Sequence, residues 1–154
     1  RDEQVPLETE DFPARDIVED AVARLRDELE GKPVDLQVEY AADPVLHAPP
    51  RVLGVMLGNL LSNAARFTDA GSIRVRLGQD RLEVEDTGIG MDAALLARAF
   101  EPFQRGDGGQ GGPGLGLSIA HRLGQRCGWP LQLESTPGVG TRAAILFGAS
   151  TQDL

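Results

Sequence analysis

Apolar residues in this chain change their spacing at Gly31, and that change limits the fold more tightly than anything in the composition. Before it, Ile17, Val18, Ala21, Val22, Leu25 and Leu29 recur every three or four residues from Asp16 onward, the stripe of a helix that buries one side. Gly31 supplies the stop. After it, Val34, Leu36, Val38 and Tyr40 alternate with Asp35, Gln37 and Glu39, the period of a strand with one covered face. Elements that are each apolar on one side must cover one another, so helices layered on a sheet are expected.

The same switch recurs downstream. Pro49-Pro50 fits the entry of a second helix reaching about Phe67, with Val52, Val55, Met56, Leu60 and Ala64 as its stripe and Thr68-Asp69-Ala70-Gly71 as its close. Ser72 to Leu77 and Arg81 to Glu85 predict a strand pair around Gly78-Gln79-Asp80. A helix is expected from Leu117 to about Arg126, then a last strand pair, Leu131 to Glu134 and Thr141 to Phe147. Asp107 to Gly116, with six glycines and a proline, reads as a loop without regular structure. The expected fold is α+β, a two-layer sandwich in which three helices cover one face of a mixed, mostly antiparallel sheet. Residues 14–148 form the expected domain. Residues 1–13, where Val5 and Leu7 alternate as in a short edge strand, read as a junction to a preceding domain, and 149–154 as a loose tail.

Composition narrows the function classes. With 154 residues, 41% of them apolar, one domain can bury a core without staples. The lone Cys127 has no CxxC or Cys/His partner, which excludes a disulfide framework and a zinc site and implies a reducing compartment. No apolar run approaches the roughly 20 residues needed to span a bilayer, and Arg1-Asp2-Glu3-Gln4 lacks the apolar stretch of a signal peptide. A cytoplasmic location is expected, with any anchor outside this stretch. A formal charge of −9 argues against nucleic acid and anionic membranes, which need a basic footprint. It does not exclude a small phosphate ligand, which backbone N–H groups and a metal ion can hold.

Four patches carry the chemistry. On the second helix Asn59, Asn63, Arg66 and Phe67 fall toward one side; amide oxygens suit Mg²⁺, Arg66 suits phosphate oxygens, and Phe67 can pack on a base. Asp86-Thr87-Gly88-Ile89-Gly90 sets a carboxylate at the end of a strand, where it can accept from an exocyclic amine while the glycines let backbone come close. Phe100-Glu101-Pro102-Phe103-Gln104-Arg105 gives aromatic anchors and a cation beside the glycine-rich run, and Arg105 could meet a terminal phosphate. Gly111-Gly112-Pro113-Gly114-Leu115-Gly116-Leu117 leads into a helix N-terminus, where free N–H groups favour phosphate. Each has a plainer reading when taken alone: the wet face of a helix, a turn after a strand, a satellite apolar cluster and a linker.

In order, Asn59–Phe67, Asp86–Gly90, Phe100–Arg105, Gly112–Gly116 and Gly140-Thr141 resemble the N, G1, F, G2 and final glycine boxes of the GHKL ATP-binding superfamily, with the sensor histidine kinases as the better match. The likeness runs from about Val5 to Phe147. It implies the Bergerat fold, with ATP and Mg²⁺ as ligands. By resemblance Asn63 would hold Mg²⁺ with Asn59 assisting, Arg66 would contact phosphate, Phe67 would lie beneath the nucleotide, and Asp86 would accept from the adenine amine. Gly88, Ile89 and Gly90 would shape the pocket, with Phe103 beside it. Gly112, Gly114, Leu115, Gly116 and Leu117 would hold the phosphates and hinge the lid, and Thr141 would lie near adenine. Arg66 and Phe67 stand where lysine and tyrosine are more usual.

The gyrase-, HSP90- and MutL-like ATPases are similar but carry a glutamate one turn before the Mg-binding asparagine, as a base for water. Here that position is Asn59, and an amide cannot act as a general base, which favours transfer to another nucleophile over hydrolysis. Asn59 and Arg105 are therefore the candidate catalytic residues. Acceptor histidines in the family are followed by an acidic residue, whereas His47 precedes Ala48 and His121 precedes Arg122. The resemblance thus implies an acceptor on a helical hairpin upstream of Arg1 that also dimerises the parent, a response regulator receiver domain as further partner, and a monomeric fragment. A non-catalytic docking module and an anti-sigma-type serine kinase remain as alternatives.

Overall fold

The computed structural model describes residues 8–101 and 113–148, with the backbone alone given for 113–116. The chain order is β1 (Glu10–Pro13), α1 (Ala14–Glu28), β2 (Val34–Tyr40), β3 (Val45–Ala48), α2 (Pro50–Phe67), β4 (Gly71–Leu77), β5 (Arg81–Asp86), α3 (Ala93–Ala97), α4 (Pro113–Cys127), β6 (Leu131–Thr136) and β7 (Gly140–Leu146). Five strands form one sheet in the order β2-β4-β5-β7-β6, with β2–β4 parallel and every other pairing antiparallel. The small antiparallel pair β1–β3 stands apart from that sheet.

The period-two pattern decides which face is covered. Ile73, Val75 and Leu77 of β4, Leu82 and Val84 of β5, and Ala143 and Ile145 of β7 join one core with Val18, Val22 and Leu25 of α1, Leu53, Met56, Leu57 and Leu60 of α2, and Ala120 of α4. The other face carries Arg74, Arg76, Glu83, Glu85, Glu134 and Arg142, whose paired charges include Arg142–Glu134 at 2.8 Å and Arg76–Glu39 at 3.4 Å. Two layers result, as the alternation predicts.

Helix α2 shows what wins when local preference and packing conflict. Gly54 and Gly58 each cost about 0.5–1 kcal/mol relative to alanine in a helix, but burial of Leu53, Met56 and Leu57 is worth roughly 1.5–3 kcal/mol per side chain. Its start has no side-chain cap; Pro50 occupies the first turn, where its missing N–H costs nothing. Its end is held by Lys32, whose Nζ donates to the Ala65 carbonyl at 2.8 Å, a cation on the negative end of the helix dipole.

Four expectations are corrected. Val55, placed in the α2 stripe, is exposed, and the buried stripe instead includes Leu53, Leu57, Leu61 and Ala65. Strands β1 and β3 were not expected, and β1 lies within the stretch read as a junction, with Phe12 buried in the core. A fourth helix, α3, follows Asp92, whose carboxylate caps it by accepting from Leu95 N–H at 2.8 Å. Helix α4 starts at Pro113, so Gly114, Leu115 and Gly116 lie in its first turn rather than in a loop. The Val5–Leu7 alternation, the tail 149–154, and the positions Phe103, Arg105 and Gly112 lie outside the described residues.

Candidate functional site

A cleft of about 560 Å³, counted out to open solvent, lies between α2, the end of β5 and the start of α4. Its walls are mostly apolar, with Leu60, Ala64, Phe67, Val84, Met91, Leu95, Leu117, Leu133 and Ala143 facing Asn63, Asp86 and Thr141. That balance of apolar wall to a few polar groups is that of a small-molecule site. Among the described residues lining it, Asp86 is the only carboxylate.

Strand register builds one end of the cleft. Asp86 of β5 pairs with Thr141 of β7, and Thr141 pairs with Ser135 of β6, so three polar side chains form a row on the covered face of the sheet. Asp86 is 7% exposed, and its Oδ1 accepts from Gly88 N–H at 2.9 Å. Burial pushes its carboxyl above the usual carboxylate range, backbone N–H bonds from Gly88 and Thr141 pull it back, and the Glu85 charge adds to the rise. Ser135 Oγ lies 2.7 Å from Thr141 Oγ1 and accepts from Met91 N–H at 2.8 Å, which ties the loop after β5 to the last two strands.

The glycines are required by the close approach of the chain's own backbone. A Cβ on Gly88 would run into the Phe67 carbonyl, and one on Gly90 into the Thr136 carbonyl. Both leave room for the chain's own backbone, so that Ile89 N–H can donate to Phe67 O at 3.1 Å and Gly138 N–H to Ile89 O at 2.8 Å. Gly90 also lines the cleft, and Ile89, 63% exposed, forms its rim; Gly88 does not line it.

Helix α2 supplies another part of the lining, its last carbonyl bonded to the loop after Asp86. Asn63 and Phe67, one turn apart, both line the cleft. The Asn63 amide nitrogen is buried without a hydrogen-bond partner among the described residues. Since amide nitrogen and oxygen exchange places by a flip, Asn63 can equally turn its oxygen to the same spot, a donor that suits a hard cation such as Mg²⁺. Asn59 is half-buried and Arg66 exposed, and neither lines the cleft. Leu117 does, which brings the first turns of α4 to its edge. Phe100 is stacked on His121 of α4, ring centroids 4.3 Å apart and planes 8° apart. His47 lies far from this cleft in sequence and register, on the β1–β3 pair, with its Nδ1 2.6 Å from Asp11 Oδ1.

Of the residues singled out in the sequence, the structure brings Asn63, Phe67, Asp86, Ile89, Gly90, Leu117 and Thr141 to one cleft. Sequence reasoning missed Leu60 as a wall, along with Met91, Leu95, Leu133, Ala143 and the supporting Ser135. The covered-face alternation of β6 and β7 carried the signal for the last three.

Residues 49–150 match the family described as "Histidine kinase-, DNA gyrase B-, and HSP90-like ATPase". Over 143 residues the chain is 41% identical to the sensor protein TorS of Escherichia coli strain K12, covering 89% of this chain and 16% of that protein. It is 32% identical over 160 residues to the sensor histidine kinase RcsC of the same strain, covering 96% and 17%. The chain thus spans about one sixth of the length of these curated relatives. Among solved structures, full-length ShkA in complex with AMPPNP superposes with a TM-score of 0.81 at 24% identity, covering 94% of this chain and 32% of that one. The catalytic domain of histidine kinase ThkA superposes with a TM-score of 0.80 at 21% identity, covering 92% and 95%.

Proposed function

Because this chain belongs to the family of histidine kinase-, DNA gyrase B- and HSP90-like ATPases, with sensor histidine kinases as its relatives and a Bergerat-type α+β fold, we propose that it binds Mg·ATP as the catalytic domain of a sensor histidine kinase. The observation that carries this reading is the buried Asp86 carboxylate at the closed end of an apolar cleft, beside Thr141. Such an end fits a flat base bearing an exocyclic amine: the apolar walls take its faces and the carboxylate accepts from its N–H.

Asn63 lines the same cleft, and its buried amide, turned by a flip, would offer an oxygen to a cation. Mg²⁺, when bound, would supply charge neutralisation on the phosphates. Arg66 and the first turn of α4, with Gly114, Leu115 and Gly116, are the proposed phosphate contacts, since a helix start offers N–H groups that have no partner in the helix. Asn59 stands one turn before Asn63 and offers only an amide, so activation of water is disfavoured. The γ-phosphoryl group then passes to a histidine nitrogen: the N–P bond forms, the bond to the β–γ bridging oxygen breaks, and ADP leaves. Neither His47, which precedes Ala48, nor His121, which precedes Arg122, has the acidic successor of the acceptor role. The acceptor belongs to a helical hairpin of the longer parent, a homodimer in this reading, and a response regulator receiver domain takes the group next. This domain works in the cytoplasm, either free or as the cytoplasmic part of an inner-membrane sensor; among the described residues no helix is long and apolar enough to cross a membrane.

Calorimetric titration with ADP and a non-hydrolysable ATP analogue, with and without Mg²⁺, tests the reading. Binding that strengthens with Mg²⁺ is expected. Absence of binding under both conditions would overturn it.

A further inference from the structure

The Ser135 hydroxyl has three neighbours and only one proton to give. It accepts from Met91 N–H at 2.8 Å, lies 3.1 Å from the Gly140 carbonyl, and lies 2.7 Å from Thr141 Oγ1. A serine oxygen carries one O–H and two lone pairs. A carbonyl can only accept, so the bond to Gly140 takes the serine proton. Met91 fills one lone pair, and the other is left for Thr141, which must donate. Every member of this network then has its partner. The Thr141 oxygen consequently turns lone pairs, and no proton, toward the cleft that it lines.

We infer that Ser135 is a positioning and specificity residue: by taking the Thr141 proton, it makes the base-binding end of the cleft a pair of acceptors, Thr141 Oγ1 beside the Asp86 carboxylate. Set against the 6-substituent, such a pair takes the two amine protons of a 6-amino purine and opposes a 6-oxo purine, whose carbonyl would face two acceptors. Ser135 does not itself line the cleft and acts only through Thr141. This inference rests on the nucleotide reading above and adds a residue that none of the sequence motifs contained.

Ser135→Ala leaves Thr141 without its acceptor and frees its O–H to rotate and donate into the cleft. Two measurements on the chain test this. Titration with ADP and with inosine diphosphate should show the preference for ADP narrowing about fivefold in Ser135→Ala, the size expected when one neutral hydrogen bond changes sense. Most of that change should come from tighter binding of the 6-oxo nucleotide, and Ser135→Thr should restore the preference. Three-bond couplings to the Thr141 methyl, measured without nucleotide, should report one χ1 rotamer in the natural chain and averaging in Ser135→Ala. An unchanged rotamer, or equal weakening of both nucleotides, would overturn the inference. If the natural chain binds neither nucleotide, the nucleotide reading fails, and the rotamer measurement still decides whether Ser135 holds Thr141.

Discussion

The strand side and the helix side of the cleft are built by opposite means. The strand side is made by register: Asp86, Thr141 and Ser135 sit on three neighbouring strands, where Asp86 Oδ1 accepts from Gly88 N–H and Ser135 Oγ lies 2.7 Å from Thr141 Oγ1. The helix side is made by one face of α2 and the start of α4, and it leaves the buried Asn63 amide nitrogen without a partner among the described residues. Buried polar groups are ordinarily satisfied, and an orphan costs about 1–3 kcal/mol. The difference teaches that the strand side is held in place by its own bonds, whereas the helix side carries an unmet polar group that a ligand or its cation would fill.

Removing the carboxylate is the strongest way to break this contrast. Asp86→Asn keeps the size and the bond geometry but loses the charge, and it replaces one acceptor oxygen with a donor. Nucleotide affinity should fall about a hundredfold, the scale of a hydrogen bond to a charged group, and calorimetry would measure it while circular dichroism shows the fold intact. Affinity within a fewfold of the natural chain would move the base to another part of the cleft.

Asn63→Ala sharpens the contrast on the helix side. Affinity should drop about tenfold in Mg²⁺ and change little in a chelator, while the urea midpoint holds or rises because an orphaned polar atom has gone. An equal loss in both conditions would mean that Asn63 shapes the pocket without meeting the cation.

A gentler probe is pH. Burial raises the Asp86 carboxyl above its unfolded value, so the folded chain holds this proton over a window in which the unfolded chain has lost it. As pH rises through that window, this group's contribution to stability falls, and Asp86→Asn should remove that part of the pH dependence in urea titrations. Nucleotide affinity should run the other way, weakening as pH drops through the same window and the carboxylate gains a proton. A flat affinity profile would detach Asp86 from the base.

Legibility from sequence followed periodicity. Strand β2 and helix α2 were readable to the residue because long, regular apolar patterns fix both type and extent. Strands β1 and β3, four residues each, are too short to show a period, and α3 buries none of its residues, so no stripe marks it. Helix α4 was started late because glycines outweighed the better signal, Pro113 at a helix entry. In the site, Asn63 and Asp86 stand out by their chemistry where they lie, and Thr141 only through the resemblance to the final glycine box. Ser135 does not, since a serine near a turn is ordinary until the register of three strands sets it against Thr141. The reason for Gly88 was also hidden, because it depends on how closely the Phe67 carbonyl passes.

The sheet order has a consequence in time. The last strand to be synthesised, β7, lies between β5 and β6, while β6 touches no other strand of the sheet. A nascent chain that has reached Thr136 can pair β5 with β4 and bury much of α2, yet Asp86 still faces an open edge and Ser135 has no row to join. Non-local pairing of this kind comes late in folding. The row of Asp86, Thr141 and Ser135 therefore closes only when β7 arrives, after every described helix has been made.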